Sequence, residues 1–225
     1  MILDETKRLI IIYGIASAMP YLHSHNIVHG NLKPSNIFFD EFLFPKINGC
    51  HLFKEISKNP IPDISQMRFM SDAKLKLNVY SPPEKHIYRS CSTAGDVYSY
   101  SMILYQLITN EEPFPDVKLE IIQQICEQKI RPKFKKNIAN CYKNLIEKCW
   151  SDDVKERPTF DEIIFHLKNN PSFINDKVNK EEFQNYVDFI DASQNASNLR
   201  QFEDFVQSKN KTFRKVHIDV NKIRN

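Results

Sequence analysis

The run Val97 to Ile108, VYSYSMILYQLI, is apolar on nearly every side of a helix rather than along one stripe. A helix of that kind has no face to offer to water, so other elements must enclose it. It is the expected spine of the domain. Lys118 to Gln128 reads as the next helix, and two amphipathic ones follow. Tyr142, Leu145, Ile146, Cys149 and Trp150 keep the i, i+3, i+4, i+7, i+8 spacing, and Phe160, Ile163, Ile164 and Leu167 repeat it. Pro158 followed by Thr159-x-x-Glu162 is a helix start with a capping box, in which side chains satisfy amide donors that the first turn leaves open.

Upstream of the spine, Glu5 to His23 reads as a helix whose stripe Leu9, Ile12, Tyr13, Ala16 and Met19 faces the core. Pro20 inside it removes a helical hydrogen bond, at a cost of about 3 kcal/mol unless the helix kinks. Lys7-Arg8 before Leu9 to Ile12, with Ala16-Ser17-Ala18 after, imitates a secretory leader. Asp4 and Glu5 spoil its positive start, and the stripe continues past the supposed cleavage point toward Tyr21-Leu22. Asn36 to Phe39 and Lys46-Ile47 read as two short strands around an acidic turn. Gly49 to Pro83 has little periodicity and contains Asn59-Pro60 and Pro62, which predicts a surface segment. Beyond Asn169-Asn170-Pro171 the chain is more polar. It carries two short helical patterns, Phe183, Tyr186, Val187, Ile190 and Leu199, Phe202, Phe205, Val206. The expected organisation is therefore a domain over 1–170 and a helical extension over 171–225.

Composition narrows the function. With 41% hydrophobic and 26% charged residues, the 225-residue chain has ample length for one core. Its 31 basic and 28 acidic residues are interspersed, which makes no case for nucleic acid. The five cysteines form no metal-ligand spacing and are odd in number, so a reducing, cytoplasmic setting is expected. The sequons Asn195-Ala-Ser197 and Asn210-Lys-Thr212 are then chance matches. No apolar run reaches the ~18 residues of a membrane span.

The order of elements and four local motifs resemble the helical C-terminal lobe of a protein kinase, over about residues 1 to 170. His29 to Asn36, HGNLKPSN, resembles the family's His-Arg-Asp-Leu-Lys-Pro-x-Asn catalytic loop, and Pro82-Pro83-Glu84 its Ala-Pro-Glu. Asp96-Val97-Tyr98-Ser99-Tyr100 resembles the start of its buried central helix. Cys149-Trp150 with Arg157-Pro158 and Phe160 is similar to the signature of tyrosine and tyrosine-kinase-like kinases. The fold this implies is mainly α, with a short β-hairpin at the catalytic loop and the N-terminal lobe absent.

The departures bear on activity. The position of the loop aspartate, which accepts the substrate's hydroxyl proton in kinases, is Asn31, a neutral amide. A positioned general base is worth typically ~10²–10⁴-fold, or about 3–5 kcal/mol of barrier. The Asp-Phe-Gly position falls at Gly49-Cys50-His51, so Asn36 is left alone as a metal ligand, with Gly49 where the metal-binding carboxylate belongs. The glycines, at 14, 30, 49 and 95, build no G-x-G-x-x-G loop, and no Val-Ala-x-Lys segment supplies a phosphate-binding lysine. Gly30 also replaces the arginine that pairs with a phosphorylated activation segment in many kinases.

The resemblance thus implies catalytic positions Asn31, Lys33 and Asn36 that do not function, and structural roles for His29, Glu84, Asp96 and Arg157. Glu84 and Arg157 would pair, and Asp96 would accept from the loop backbone. Lys33 reads as a surface lysine and Asn36 as a brace for the loop. No cofactor is expected; ATP and magnesium would enter only with an N-terminal lobe outside this chain. The expected partners are other proteins, such as an active kinase or its substrates, reached through the segment 57–80, the region 113–128 or the C-terminal extension. An ATP-dependent kinase whose first half lies outside this chain is the alternative, and a fragment without function a further one. A thiol–imidazole site built on Cys50, His51 and His29 is disfavoured, because no third orienting group is visible and a lone buried cysteine ordinarily behaves as a small hydrophobe.

Overall fold

The computed structural model describes residues 3–49, 53–54, 78–88, 90–115 and 117–194. Cys50 and His51, most of the segment 57–80, the pattern Leu199 to Val206 and both sequons lie outside the described residues.

In chain order the elements are α1 (Glu5–Ser24), β1 (Ile27–Val28), β2 (Ile37–Phe39), β3 (Pro45–Ile47), β4 (Phe53–Lys54), α2 (Pro83–Tyr88), α3 (Thr93–Thr109), α4 (Leu119–Glu127), α5 (Asn140–Cys149), α6 (Phe160–Asn169) and α7 (Lys180–Gln194). The strands make two antiparallel pairs. β2 and β3 align Ile37 with Ile47 and Phe39 with Pro45, and β1 and β4 align Val28 with Phe53. The fold is mainly α, and the β2–β3 hairpin follows the loop His29 to Asn36.

The spine behaves as its composition requires. In α3, Tyr100, Met102 and Leu104 are wholly buried, and Ser99 and Ser101 are buried with them. Burying a hydroxyl without a partner costs on the order of 1–3 kcal/mol. Both serines avoid this by donating to the helix's own carbonyls, Ser99 to Gly95 at 3.1 Å and Ser101 to Tyr98 at 2.7 Å. The phenol of Tyr100 donates to the carbonyl of Ile12 at 3.1 Å, which ties α3 to α1. Ser92 caps α3, Asp4 caps α1 by accepting from the Lys7 amide, and Thr159 with Glu162 forms a complete capping box on α6.

α1 is more enclosed than its stripe predicts. Ile10, Ile11 and Ile15 lie off the stripe, yet each is only 1% exposed. The cover comes from α6 on one side and α7 on the other. Phe173, Val178, Phe183, Tyr186 and Val187 belong to the same hydrophobic core as α1 and α3, so residues 171–194 pack into the domain they follow. The Tyr13 ring meets Phe183 and Tyr186 edge-on at 5.5 and 6.2 Å. α1 also runs through Pro20 to Ser24, so the Ala16 carbonyl lacks the helical donor another residue would supply there.

Gly14 marks the tightest point of this packing. A Cβ there would meet the Tyr186 hydroxyl in hard overlap and the Pro45 ring at 2.6 Å. Gly14→Ala must therefore push α7 and the hairpin off α1, and overpacking of this kind costs about 1–3 kcal/mol. Urea melts should show that loss, and an unchanged midpoint would mean the three elements are not in register contact.

Candidate active site: the loop from His29 to Asn36

The loop leaves β1 and is held from below by Asp96, in the first turn of α3. Asp96 is 1% exposed, and its carboxylate accepts the amides of His29 and Gly30, both at 2.8 Å. The His23 ring contacts the same carboxylate at 3.1 Å. Nothing in the sequence marked His23. It comes within reach because α1 ends beside the N-terminus of α3.

His29 is wholly buried and bonds through both ring nitrogens. Nδ1 lies 3.2 Å from the Asn31 amide, which can only donate, so Nδ1 accepts and Nε2 carries the proton given to the Asn48 carbonyl at 3.0 Å. This pattern needs a neutral imidazole. Burial pushes the His29 pKa down, against the smaller upward pull of Asp96. The unfolded chain, with its histidine near the usual ~6.5, then binds protons first as pH falls. Stability is fully present above pH ~6.5 and is lost as pH falls from there toward the folded pKa, by at most about 1.4 kcal/mol per pH unit. Urea melts between pH 7.5 and 5.5 should show a steeper decline for the native chain than for His29→Gln; equal slopes would place the charge elsewhere. The same two bonds leave neither nitrogen for a thiol at Cys50.

Asn31 is 6% exposed, and its Oδ1 is buried with no hydrogen-bond partner among the described residues. The Asn36 side chain donates to the Asn31 carbonyl at 2.7 Å, and the Asn36 carbonyl accepts from the Asn48 amide at 2.8 Å. Asn36 thus ties the loop to the far strand of the hairpin. Gly49 follows in the left-handed region, at φ 75°, and a Cβ on it would come within 2.8 Å of the Asn36 amide group. Lys33 is half-buried rather than fully solvated.

Lys85 is a component that motif reading missed. It stands on α2, 2% exposed, and its ammonium donates to the Gly30 carbonyl at 2.6 Å. Burial lowers its pKa, and the charge on Lys33 pushes the same way, while Cys91 and Asp96 pull it up. Gly30 has φ 68° and no side chain. A cation from α2 therefore reaches the loop beside the position where the family pattern carries arginine. Only folding could reveal this, because a lysine next to Pro-Pro-Glu has no motif.

Glu84 and Arg157 meet as a two-pronged pair, Nη1 to Oε1 at 2.7 Å and Nη2 to Oε2 at 3.1 Å. Arg157 also donates to the carbonyls of Ser151 and Ala94. Its guanidinium lies 5.1 Å from the Tyr98 ring centre, and Arg131 lies 5.2 Å from the same ring.

These residues do not fit a magnesium ion, which wants hard oxygen ligands that include one or two carboxylates. The carboxylate against the loop, Asp96, is committed to backbone amides, and position 49 faces the Asn36 amide without a side chain. Among the described residues no group of three His, Cys, Asp or Glu side chains could hold a metal.

A mainly helical lobe, with such a loop carried beside a small hairpin and anchored to a buried central helix, is the large lobe of a protein kinase. A family model described as protein tyrosine and serine/threonine kinase matches residues 2–167, and the chain belongs to that family. It is 32% identical over 168 residues to a probable serine/threonine-protein kinase of Dictyostelium discoideum, a match covering 73% of this chain and 12% of that protein. It is 32% identical over 170 residues to the dual specificity protein kinase splA of the same organism, covering 72% of this chain and 7% of splA. A probable inactive serine/threonine-protein kinase from that organism is 31% identical over 153 residues, 65% of this chain and 7% of that protein. The chain therefore spans about a tenth of the length of these relatives. Among the described residues, no helix is long and apolar enough to cross a membrane.

Proposed function

We propose that this chain is a catalytically inactive kinase lobe, a pseudokinase of the tyrosine-kinase-like group, that binds other proteins in the cytoplasm. The observation that carries this reading is Asn31. At the base position stands a buried amide, which cannot take up a proton at neutral pH. Packing of Gly49 against Asn36 supports it, since a carboxylate at 49 would meet Asn36 and adopt a strained backbone, at about 1–3 kcal/mol. One relative is itself described as probable inactive.

A second reading, an ATP-dependent protein kinase working with chain outside these residues, is favoured by the ordered loop with Lys33 and Asn36 in it and by the other relatives' descriptions as kinases. One assay separates them. The full-length protein from its own cells is incubated with radiolabelled ATP, magnesium or manganese, and a mixed Ser, Thr and Tyr peptide library. The expected result is transfer no faster than by the Asn36→Ala protein. Transfer well above that control, lost on Asn36→Ala, would overturn inactivity.

A further inference from the structure

The sequence holds a single Asn-Gly step, Asn48-Gly49, and the fold presents it where the chain leaves the β2–β3 hairpin. Asparagine is a labile residue, and most so before glycine, whose nitrogen has no Cβ to screen it from the asparagine side chain. Asn48 is exposed, one residue past the end of β3. Its carboxamide is folded onto the backbone that follows, with Oδ1 accepting from the Gly49 amide at 2.6 Å. Oδ1 is bonded to Cγ at ~1.2 Å, so the Gly49 nitrogen stands no more than about 3.8 Å from Cγ, near the ~3–3.5 Å from which bonds form. The left-handed φ of Gly49 and the crowding a Cβ would meet at Asn36 keep that nitrogen bare.

Asn48 also carries two ties between the hairpin and the loop. Its amide donates to the Asn36 carbonyl at 2.8 Å, and its carbonyl accepts from His29 Nε2 at 3.0 Å. A change in the backbone at 48 is therefore felt at both ends of the loop.

We propose that Asn48 is a modification site, at which the folded chain deamidates with water as the co-reactant. The Gly49 nitrogen bonds to Cγ as the Cγ–Nδ2 bond breaks. Ammonia leaves with the Gly49 amide proton, and a five-membered imide remains. Water then opens the imide at one of its two carbonyls, its hydroxyl going to carbon and its other proton to nitrogen. Opening at Cγ gives aspartate. Opening at the main-chain carbonyl gives isoaspartate, whose backbone runs through Cγ and is longer by one methylene. In that product the oxygen that accepts from His29 belongs to a free carboxylate, and the longer backbone draws Gly49 off Asn36. Either product ionises at neutral pH, so the loop gains a neighbouring negative charge that the unmodified chain lacks at 48. The change runs one way, and it does not depend on whether the chain transfers phosphate.

The test ages the full chain at mildly alkaline pH, folded in buffer and unfolded in urea, and follows every asparagine by peptide mapping with fragmentation that separates aspartate from isoaspartate. In the folded chain Asn48 should convert fastest, by about tenfold over the other asparagines, and should yield both products. Its folded rate should stay within about tenfold of its rate in urea, because the fold leaves the carboxamide exposed and in place. Another asparagine converting as fast as Asn48 in the folded chain would overturn the proposal. So would a folded rate more than about tenfold below the rate in urea, which would mean that the hairpin shields the step rather than presents it. None of these readouts involves phosphate transfer, so they stand apart from the assay of activity.

Discussion

Replacing Glu84 with alanine is expected to lower the unfolding free energy by about 3–5 kcal/mol, the range for removing one member of a buried pair. The partner left behind decides the size. The Arg157 side chain is 1% exposed and always charged, so without Glu84 its guanidinium keeps, among the described residues, the carbonyls of Ser151 and Ala94 and the face of Tyr98. Uncompensated burial of that charge, rather than loss of a contact, is the source of the penalty. A cycle through Glu84→Met, Arg157→Met and the double variant tests this. The double variant should be more stable than Arg157 standing alone, because removing both charges removes the desolvation cost too. If Glu84→Met and Arg157→Met each cost less than about 1 kcal/mol, the pair behaves like a surface salt bridge and the argument fails.

Asp96→Ala should be of similar size, about 3–6 kcal/mol, for a different reason. It strips the carboxylate from two buried backbone amides, and hydrogen bonds to a charged group are worth ~1.5–3 kcal/mol each. The methyl group that replaces it cannot accept, and the loop's other supports, Lys85 to Gly30 and Asn36 to Asn31, do not reach those donors. Hydrogen exchange adds a readout that total stability lacks. The amides of His29 and Gly30 should lose protection beyond the global change, and a uniform change across the chain would show that Asp96 acts only through packing.

The helices other than α2, and the β2–β3 hairpin, were legible in the chain because each rests on local order: a period of 3.6, a cap, a short alternation. The core membership of the residues after Asn170 was not. A polar, amphipathic α7 looks appended when read alone, and only the bare Gly14 surface of α1, pressed by Tyr186 and Pro45, shows why Phe183 and Tyr186 are core. The same limit applied to α1. Its stripe accounted for one face, while Ile10, Ile11 and Ile15 needed α6 and α7 to cover the rest.

By itself the sequence determined which chemical groups are at hand: an amide at 31, no carboxylate at 49, a buried spine from Val97 to Ile108. Those are matters of residue identity, and folding cannot add a carboxylate. What each group is free to do was decided only by the tertiary structure. Lys85 reaches the loop from another helix, His23 joins the carboxylate of Asp96, and Asn36 stands against Gly49. Each of those contacts joins residues far apart in the chain, so no local pattern carries it.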